Sequence, residues 1–236
     1  MLQQPLMLPF YIDRIISLYL NQFAHQNPRM DHFMYMISEN KLLKGGVIMA
    51  VFYGLWWSCQ ENRGKLFLSI LAAFVAEIGT IILSLTLPYR ARPFTGVDIP
   101  FKPPVAVDIW WNNHISSFPS DHATLFTVMG LGIYSVHKKL GTVVLLYILL
   151  FVFFPRIYLG LHYFSDLLAG LIIGTIVFVI SLRWNKTQQL AAKVLQFANQ
   201  KPQYFYPLLF LISYQLVDLF TETREILGFI RHPFKY

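Results

Sequence analysis

The sequence predicts an all-α fold: a polytopic membrane helix bundle with five to six transmembrane helices, preceded by an amphipathic helix at the membrane interface. Three observations predict it. Of the 236 residues, 56% are hydrophobic and only 13% charged, whereas an ordinary soluble domain carries about 25% charge. The mean hydropathy is +0.49. The apolar residues also fall in runs close to the ~20 that cross a bilayer core of roughly 30 Å, with basic residues at their edges, where membrane proteins keep them. This composition excludes a disordered chain, a collagen-like fibre and a coiled coil, and it does not suit a large soluble enzyme. The single cysteine, Cys59, excludes an intrachain disulfide framework and a cysteine-based zinc site. The net charge of +7 is spread over span edges, so it does not point to nucleic acid.

Taken in order, residues 11–23 place Ile12, Ile15, Ile16 and Leu20 on one helical face, with Asp13 and Arg14 beside it. That stretch is too short and too polar to span, and it reads as an interfacial helix. A cleaved signal peptide is not expected, because no positively charged start precedes a compact apolar stretch. Residues 43–59 form the first expected span, with Trp56 and Trp57 as interface anchors. Residues 66–87 form the second and cleanest. The third covers 123–136, extended at its start by Ser120, Asp121 and His122. The fourth covers 140–154 and the fifth 167–182. A weaker sixth, 204–220, contains Gln215 and Asp218. Residues 88–117 and 183–203 have linker-like composition. The expected organisation is therefore an interfacial segment (1–40), a membrane core (41–183), and a cytoplasmic linker with an additional C-terminal helix (184–236).

If the five strong segments cross, residues 88–117 and 155–161 share one face. The opposite face collects Arg63, Lys65, Lys138, Lys139, Arg183, Lys186, Lys193 and Lys201. The first face has Arg90, Arg92, Lys102 and Arg156, to which the N-terminal Arg14, Arg29, Lys41 and Lys44 would add. Counted over the connecting segments alone, before the N-terminal residues are added, the positive-inside rule places the face with Arg63 to Lys201 in the cytoplasm.

The outer face then gathers chemistry. Arg90 and Arg92 follow the second span, Ser120 and His122 open the third, and Arg156, His162 and Asp166 bracket the turn between the fourth and fifth. Charged groups at one membrane face are costly unless solvated, paired or binding something. Arginine offers a planar donor fork that suits phosphate oxygens. His162 and Asp166 are four apart and share a helix face, so a carboxylate there could hold one ring nitrogen while the other faces a substrate. Ser120 sits at a helix N-terminus, which favours anions. Glu77, inside the second span with Thr80 and Ser84 on its face, is expected to be a structural carboxyl facing the bundle. Trp110, Trp111, Asn112, Asn113 and His114 read either as an interface anchor or as a lid over a headgroup.

These residues resemble the type 2 phosphatidic acid phosphatase superfamily. Its second motif, Pro-Ser-Gly-His, is matched by Pro119-Ser120-Asp121-His122, and its third by Arg156, His162 and Asp166 at their spacing, with Gly160 between. Its first, Lys-x6-Arg-Pro, is matched at Arg92 and Pro93, while Leu85 stands at the lysine position. The Arg90-Ala91-Arg92-Pro93-Phe94 and Phe118-to-Thr124 runs are most similar to the bacitracin-resistance branch, whose members are undecaprenyl pyrophosphate phosphatases. The resemblance implies an integral membrane hydrolase of lipid phosphates or pyrophosphates, with undecaprenyl pyrophosphate preferred. It implies no cofactor and no metal. It makes His162 the nucleophile that becomes phosphohistidine, Asp166 its orienter, and His122 the proton donor to the leaving oxygen. It makes Arg92, Arg156 and Ser120 the phosphate holders. Arg90 or Lys102 would compensate for Leu85, and Pro155 replaces a serine before Arg156. A bacterial inner-membrane setting follows, with the site on the periplasmic or extracellular face, a lipid substrate in the bilayer and no nucleic-acid partner. The sequence leaves the oligomeric state open. Two rival readings remain: a phosphotransferase using the same phosphohistidine, and a lipid-phosphate binder or transporter without catalysis.

Overall fold

The computed structural model describes residues 8–104, 116–219 and 221. Residues 110–114, named above, lie outside these. Among the described residues the fold is helical throughout, with no strand. Three stretches are long and apolar enough to cross a membrane: Gln60–Thr86, Lys138–Tyr158 and Phe164–Arg183. Leu42–Ser58 is apolar but shorter.

Helix α1 (Leu8–Asn21) is the expected amphipathic helix, but its expected apolar face is split. Ile16 and Leu20 pack on the core beside the buried Asp13 and Ser17, whereas Tyr11, Ile12, Ile15 and Tyr19 are exposed. A mixed inner face with an apolar outer face suits a helix seated against the bundle at a membrane interface. Helix α2 (Pro28–Glu39) follows, capped by Asn27 with proline in its first turn, where the missing N–H is harmless. The sequence reading did not foresee it.

A π turn, Leu42–Gly46, leads into α3 (Val47–Ser58). Trp56 is not an interface anchor. It is fully buried, stacked between Phe52 and Phe205, each ring 6.0 Å away. Trp57 is exposed and stacks on Tyr206. Helix α4 (Arg63–Thr86) and α5 (Asp121–Val136) form the bundle centre. Helix α6 (Lys138–Ile148), a second π turn (Leu149–Phe153) and α7 (Phe154–Tyr158) run on as one apolar stretch. Arg156 therefore lies in a helix rather than in the turn after it.

Helix α8 (Phe164–Arg183) packs most closely on α5. Two glycines make this possible. A Cβ on Gly170 would sit 2.6 Å from the Ser120 carbonyl oxygen, and one on Gly174 would sit 2.6 Å from that of Thr124. Small residues four apart let helix backbones meet, which in lipid substitutes for a hydrophobic driving force. On the other side of α5, Gly132 receives Ser69 of α4.

The stretch after α8 is a helix, not a linker: α9 (Asn185–Gln200). Its charge masks a stripe of Ala191, Val194, Leu195 and Ala198 at helical spacing, packed on the core. Helix α10 (Pro202–Asp218) returns to α3, and its Asp218 pairs with Lys41.

The ends of α4 and α7 and the starts of α5 and α8 gather at one end of the bundle. Backbone bonds join them: Phe94 donates to Gly160 at 3.0 Å, Ser117 to Arg90 at 2.9 Å, and Ser120 to Asp166 at 3.2 Å. Gly160 makes its turn with φ 70°, a left-handed conformation that favours glycine. Its face is also closed by the Phe101 ring.

Gly170→Leu should lower the midpoint of thermal unfolding in detergent sharply, because overpacking costs about 1–3 kcal/mol or more. Gly79→Ala, where an added Cβ meets nothing within 4 Å, should leave the midpoint level or raised.

Candidate active site

The tight loop from Arg156 to His162 sets the first part of the site. The Arg156 carbonyl accepts from the backbone of both Leu161, at 2.9 Å, and His162, at 3.3 Å. The His162 ring is buried. Its Nδ1 lies 2.8 Å from the Ser117 carbonyl oxygen. A carbonyl only accepts, so Nδ1 carries the hydrogen and Nε2 keeps its lone pair. Arg92 Nη1 lies 3.4 Å from that Nε2 and donates to the Leu161 carbonyl at 2.8 Å. Burial, then the Arg92 guanidinium, holds the His162 ring below its ordinary pKa, against the opposing pull of Asp166 and Asp121.

Asp166 does not make the direct bond to His162 that the spacing suggests. Its Oδ2 is 3.7 Å from Nδ1. That oxygen accepts instead from the Ser117 hydroxyl and from the Tyr163 backbone at 2.8 Å, and it acts on His162 through the Ser117 loop. Its other oxygen accepts from Arg90 at 2.5 Å. Arg90 also binds Asp13 of α1 at 2.6 Å and lies over the Tyr163 ring, 4.1 Å from its centroid. With both carboxylates on it, Arg90 is a clamp between α1 and Asp166, not a free phosphate ligand. Asp13 further accepts from the Ser165 backbone at 2.8 Å and hydroxyl at 2.5 Å.

The second part opens α5. Ser120 is fully buried and caps this helix, its Oγ accepting from Ala123 at 3.4 Å. His122 Nδ1 lies 2.8 Å from Asp121 Oδ1. Arg156 Nη2 lies 2.6 Å from His122 Nε2. A guanidinium only donates, so Nε2 accepts here and Nδ1–H donates to Asp121. Asp121 is thus the orienter of His122, a role the sequence reading passed over. Arg156 is buried, with a longer bond to the Ser38 carbonyl at the end of α2 and Glu39 at 4.0 Å.

A residue missed altogether completes the set. Lys44 is buried, and its Nζ lies 3.5 Å from His122 Nε2. Neither expected substitute for the first-motif lysine reaches the cluster. Arg90 is committed as above, and Lys102 is an exposed loop residue pinned at its backbone by Asn21 at 2.8 Å. Leu85 is 79% exposed on the outside of α4. The π turn that delivers Lys44 has no periodicity signal in the sequence. Glu77 is buried as expected.

The arrangement gathers three buried cations (Lys44, Arg92 and Arg156) and two imidazoles, each presenting its Nε2 to a basic group. The acids nearby are Asp121, held by His122, and Glu39, itself 44% exposed at the side chain. Such a cluster is built for an oxyanion.

Comparison with known proteins agrees with this chemistry. Residues 65–190 match the family model described as the PAP2 superfamily. The undecaprenyl-diphosphatase BcrC of Bacillus subtilis (strain 168) is 26% identical over 70% of this chain and 80% of that protein. The bacitracin transport permease protein BcrC of Bacillus licheniformis is 29% identical over 67% of this chain and 73% of that protein. The crystal structure of a transmembrane PAP2-type phosphatidylglycerolphosphate phosphatase from Bacillus subtilis superposes with a TM-score of 0.47 at 20% identity, covering 71% of this chain and 81% of that one.

Asp13→Ala should leave Arg90 half-paired and destabilise the fold. Removing one partner of a buried pair costs about 3–5 kcal/mol, discounted here because Arg90 is 15% exposed at its side chain. A fall of several degrees in the detergent melting midpoint checks it.

Proposed function

The chain belongs to the PAP2 superfamily of membrane phosphatases, and from that membership we propose that it hydrolyses a lipid diphosphate through a phosphohistidine at His162. One observation carries the reading: a neutral imidazole, with its Nε2 lone pair directed at a buried guanidinium, stands beside a second imidazole in a pocket with surplus positive charge. In this reading Arg92 and Arg156 leave the imidazoles and take the oxygens of the terminal phosphate. His162 Nε2 attacks phosphorus, and the bond from phosphorus to the bridging oxygen breaks. The electron pair leaves on that oxygen, which takes a proton from His122 Nε2, a proton that His122 takes up from solvent once Arg156 has left that nitrogen for the phosphate. Asp121 supports His122 in the charged form that gives this proton. Asp166, behind the Ser117 loop, holds His162 in register and offsets its charge once it is phosphorylated.

Water then attacks the phosphohistidine. His122 accepts the water proton, the P–N bond breaks, and His162 regains its lone pair. The balance is lipid diphosphate plus water to lipid monophosphate plus phosphate. The cations supply the electrostatic stabilisation, and metal independence is part of the proposal. Undecaprenyl pyrophosphate is the preferred substrate, supported by the printed activity of the Bacillus subtilis relative. The site's place at the ends of apolar helices supports a lipid, because the tail can stay in the bilayer while the headgroup reaches the cations. The distribution of Lys and Arg between the two ends supports a site on the outer face of a bacterial inner membrane.

The printed name of the Bacillus licheniformis relative favours a second reading, a lipid-phosphate transporter. Binding alone has no use for a held imidazole lone pair. Phosphate release by detergent-purified protein with EDTA present, over undecaprenyl pyrophosphate, phosphatidic acid, phosphatidylglycerol phosphate and lipid A, separates the two.

Wild type should release phosphate and His162→Ala none. His122→Ala should slow turnover by about 10²–10⁴-fold, the usual worth of a general acid. No release by wild type from any of the four would end the hydrolase reading. In a pH profile, kcat/KM reports the free enzyme. His162 must be neutral to attack, and its pKa is lowered, so the acid limb assigned to it should fall below the ordinary histidine value near 6.5. A limb centred above that contradicts the assignment.

A further inference from the structure

We propose that Lys44 replaces the lysine missing at position 85 and selects diphosphate over monophosphate by holding the phosphate that leaves. This rests on the hydrolase reading, with His122 as the acid at the leaving oxygen.

Lys44 is 7% exposed. Among the described residues no carboxylate lies within 4.0 Å of its Nζ. Its hydrogen-bond neighbour is His122 Nε2, which already accepts from Arg156 at 2.6 Å. The nearest fields of opposite sign come from Glu39 and Asp121, and both are otherwise engaged. A buried ammonium without an ion-pair partner is costly, and this fold spends structure to keep it. The π turn closes through a bond from the Val47 N–H to the Leu42 carbonyl. The Tyr147 hydroxyl takes the Leu43 carbonyl. Gly45 sits against Val217 of α10 so closely that a Cβ would approach to 2.9 Å. One extra residue in the turn shifts helical register by about 100°, which turns Lys44 inward. Single π turns in helices are frequent at functional sites.

Position decides the role. Arg92 is at the nucleophile, 3.4 Å from His162 Nε2. Lys44 is at the other imidazole. A monophosphate ester leaves as an alcohol oxygen, which brings no further charge to that side. A diphosphate leaves as a second phosphate, whose anionic oxygens then sit beside His122. Lys44 meets that charge and no other part of the reaction. An ammonium also serves there as a point charge, without the planar geometry of the two arginines.

The test uses full-length protein in detergent with one tail and two headgroups, farnesyl diphosphate and farnesyl monophosphate. Lys44→Met keeps the length of the stem and removes the charge. It should lower kcat/KM for the diphosphate by about 10–100-fold, the worth of a hydrogen bond to a charged group. The monophosphate should fall about ten-fold less. Lys44→Arg should restore part of the diphosphate preference. Equal losses on both substrates, or none on the diphosphate, overturn the proposal. A calorimetric titration with methylenediphosphonate and orthophosphate stands independently of turnover. Lys44→Met should weaken the diphosphonate at least about ten-fold more than orthophosphate. If wild type hydrolyses neither farnesyl ester, the hydrolase reading still stands or falls on the four lipids above, and this titration alone decides on Lys44: equal weakening of both anions overturns it.

Discussion

The close crossing of α5 and α8 is the constraint on which the rest of the structure depends. Gly170 and Gly174 let the two backbones meet, and the Ser120 N–H reaches the Asp166 carbonyl. Each helix brings its N-terminus to the same end, one carrying His122 and the other following His162. Were the helices spaced by ordinary side chains, roughly 8–10 Å axis to axis, the two histidines and the cations that each meets would be drawn apart. In lipid, where apolar side chains gain nothing by leaving the solvent, such contact rests on packing and hydrogen bonds.

Around this crossing the charges divide into two groups. Asp13, Arg90 and Asp166 satisfy one another, and they stitch α1 to the start of α8. Lys44, Arg92 and Arg156 gather instead around the two imidazoles, with Asp121, held by His122, and the partly exposed Glu39 as their acids. The first group is a structural knot, and the second surrounds the histidines. Preorganised cations in a dry site act more strongly than in water, because nothing must reorganise when charge develops.

Much of this was legible in the sequence. The spacing of Arg156, His162 and Asp166 predicted one loop, and Pro119 to His122 a capped helix start, but α8 begins at Phe164, so His162 precedes the helix and shares no helix face with Asp166. The spacing did not give the partner of His162 Nδ1, because Ser117 contributes a backbone carbonyl, which any residue has. Arg90 and Arg92 are two apart and look equivalent, yet only Arg92 reaches His162. Asp13 looked like a solvated edge because amphipathic reading assumes water opposite the apolar stripe, and here Arg90 and Ser165 occupy that side. Helix α9 was hidden by its lysines and glutamines, whose apolar stripe is narrow. Lys44 was counted among surface charges because a π turn breaks the 3.6-residue rule by which facing is judged.

That turn has a genealogical side. Seen along the chain, a π turn is a helix holding one residue more than its neighbours need. In a homologous helix without it, every residue before the turn would be rotated by about a quarter of a circle relative to those after. Pairing two such chains column by column would seat Lys44 opposite a residue that faces lipid. The vacancy at Leu85 and the extra residue near Lys44 would then pass for unrelated accidents, a substitution in one place and a gap in another. On the proposal made above the two belong together: the charge that Leu85 does not carry is supplied from the turn that opens α3.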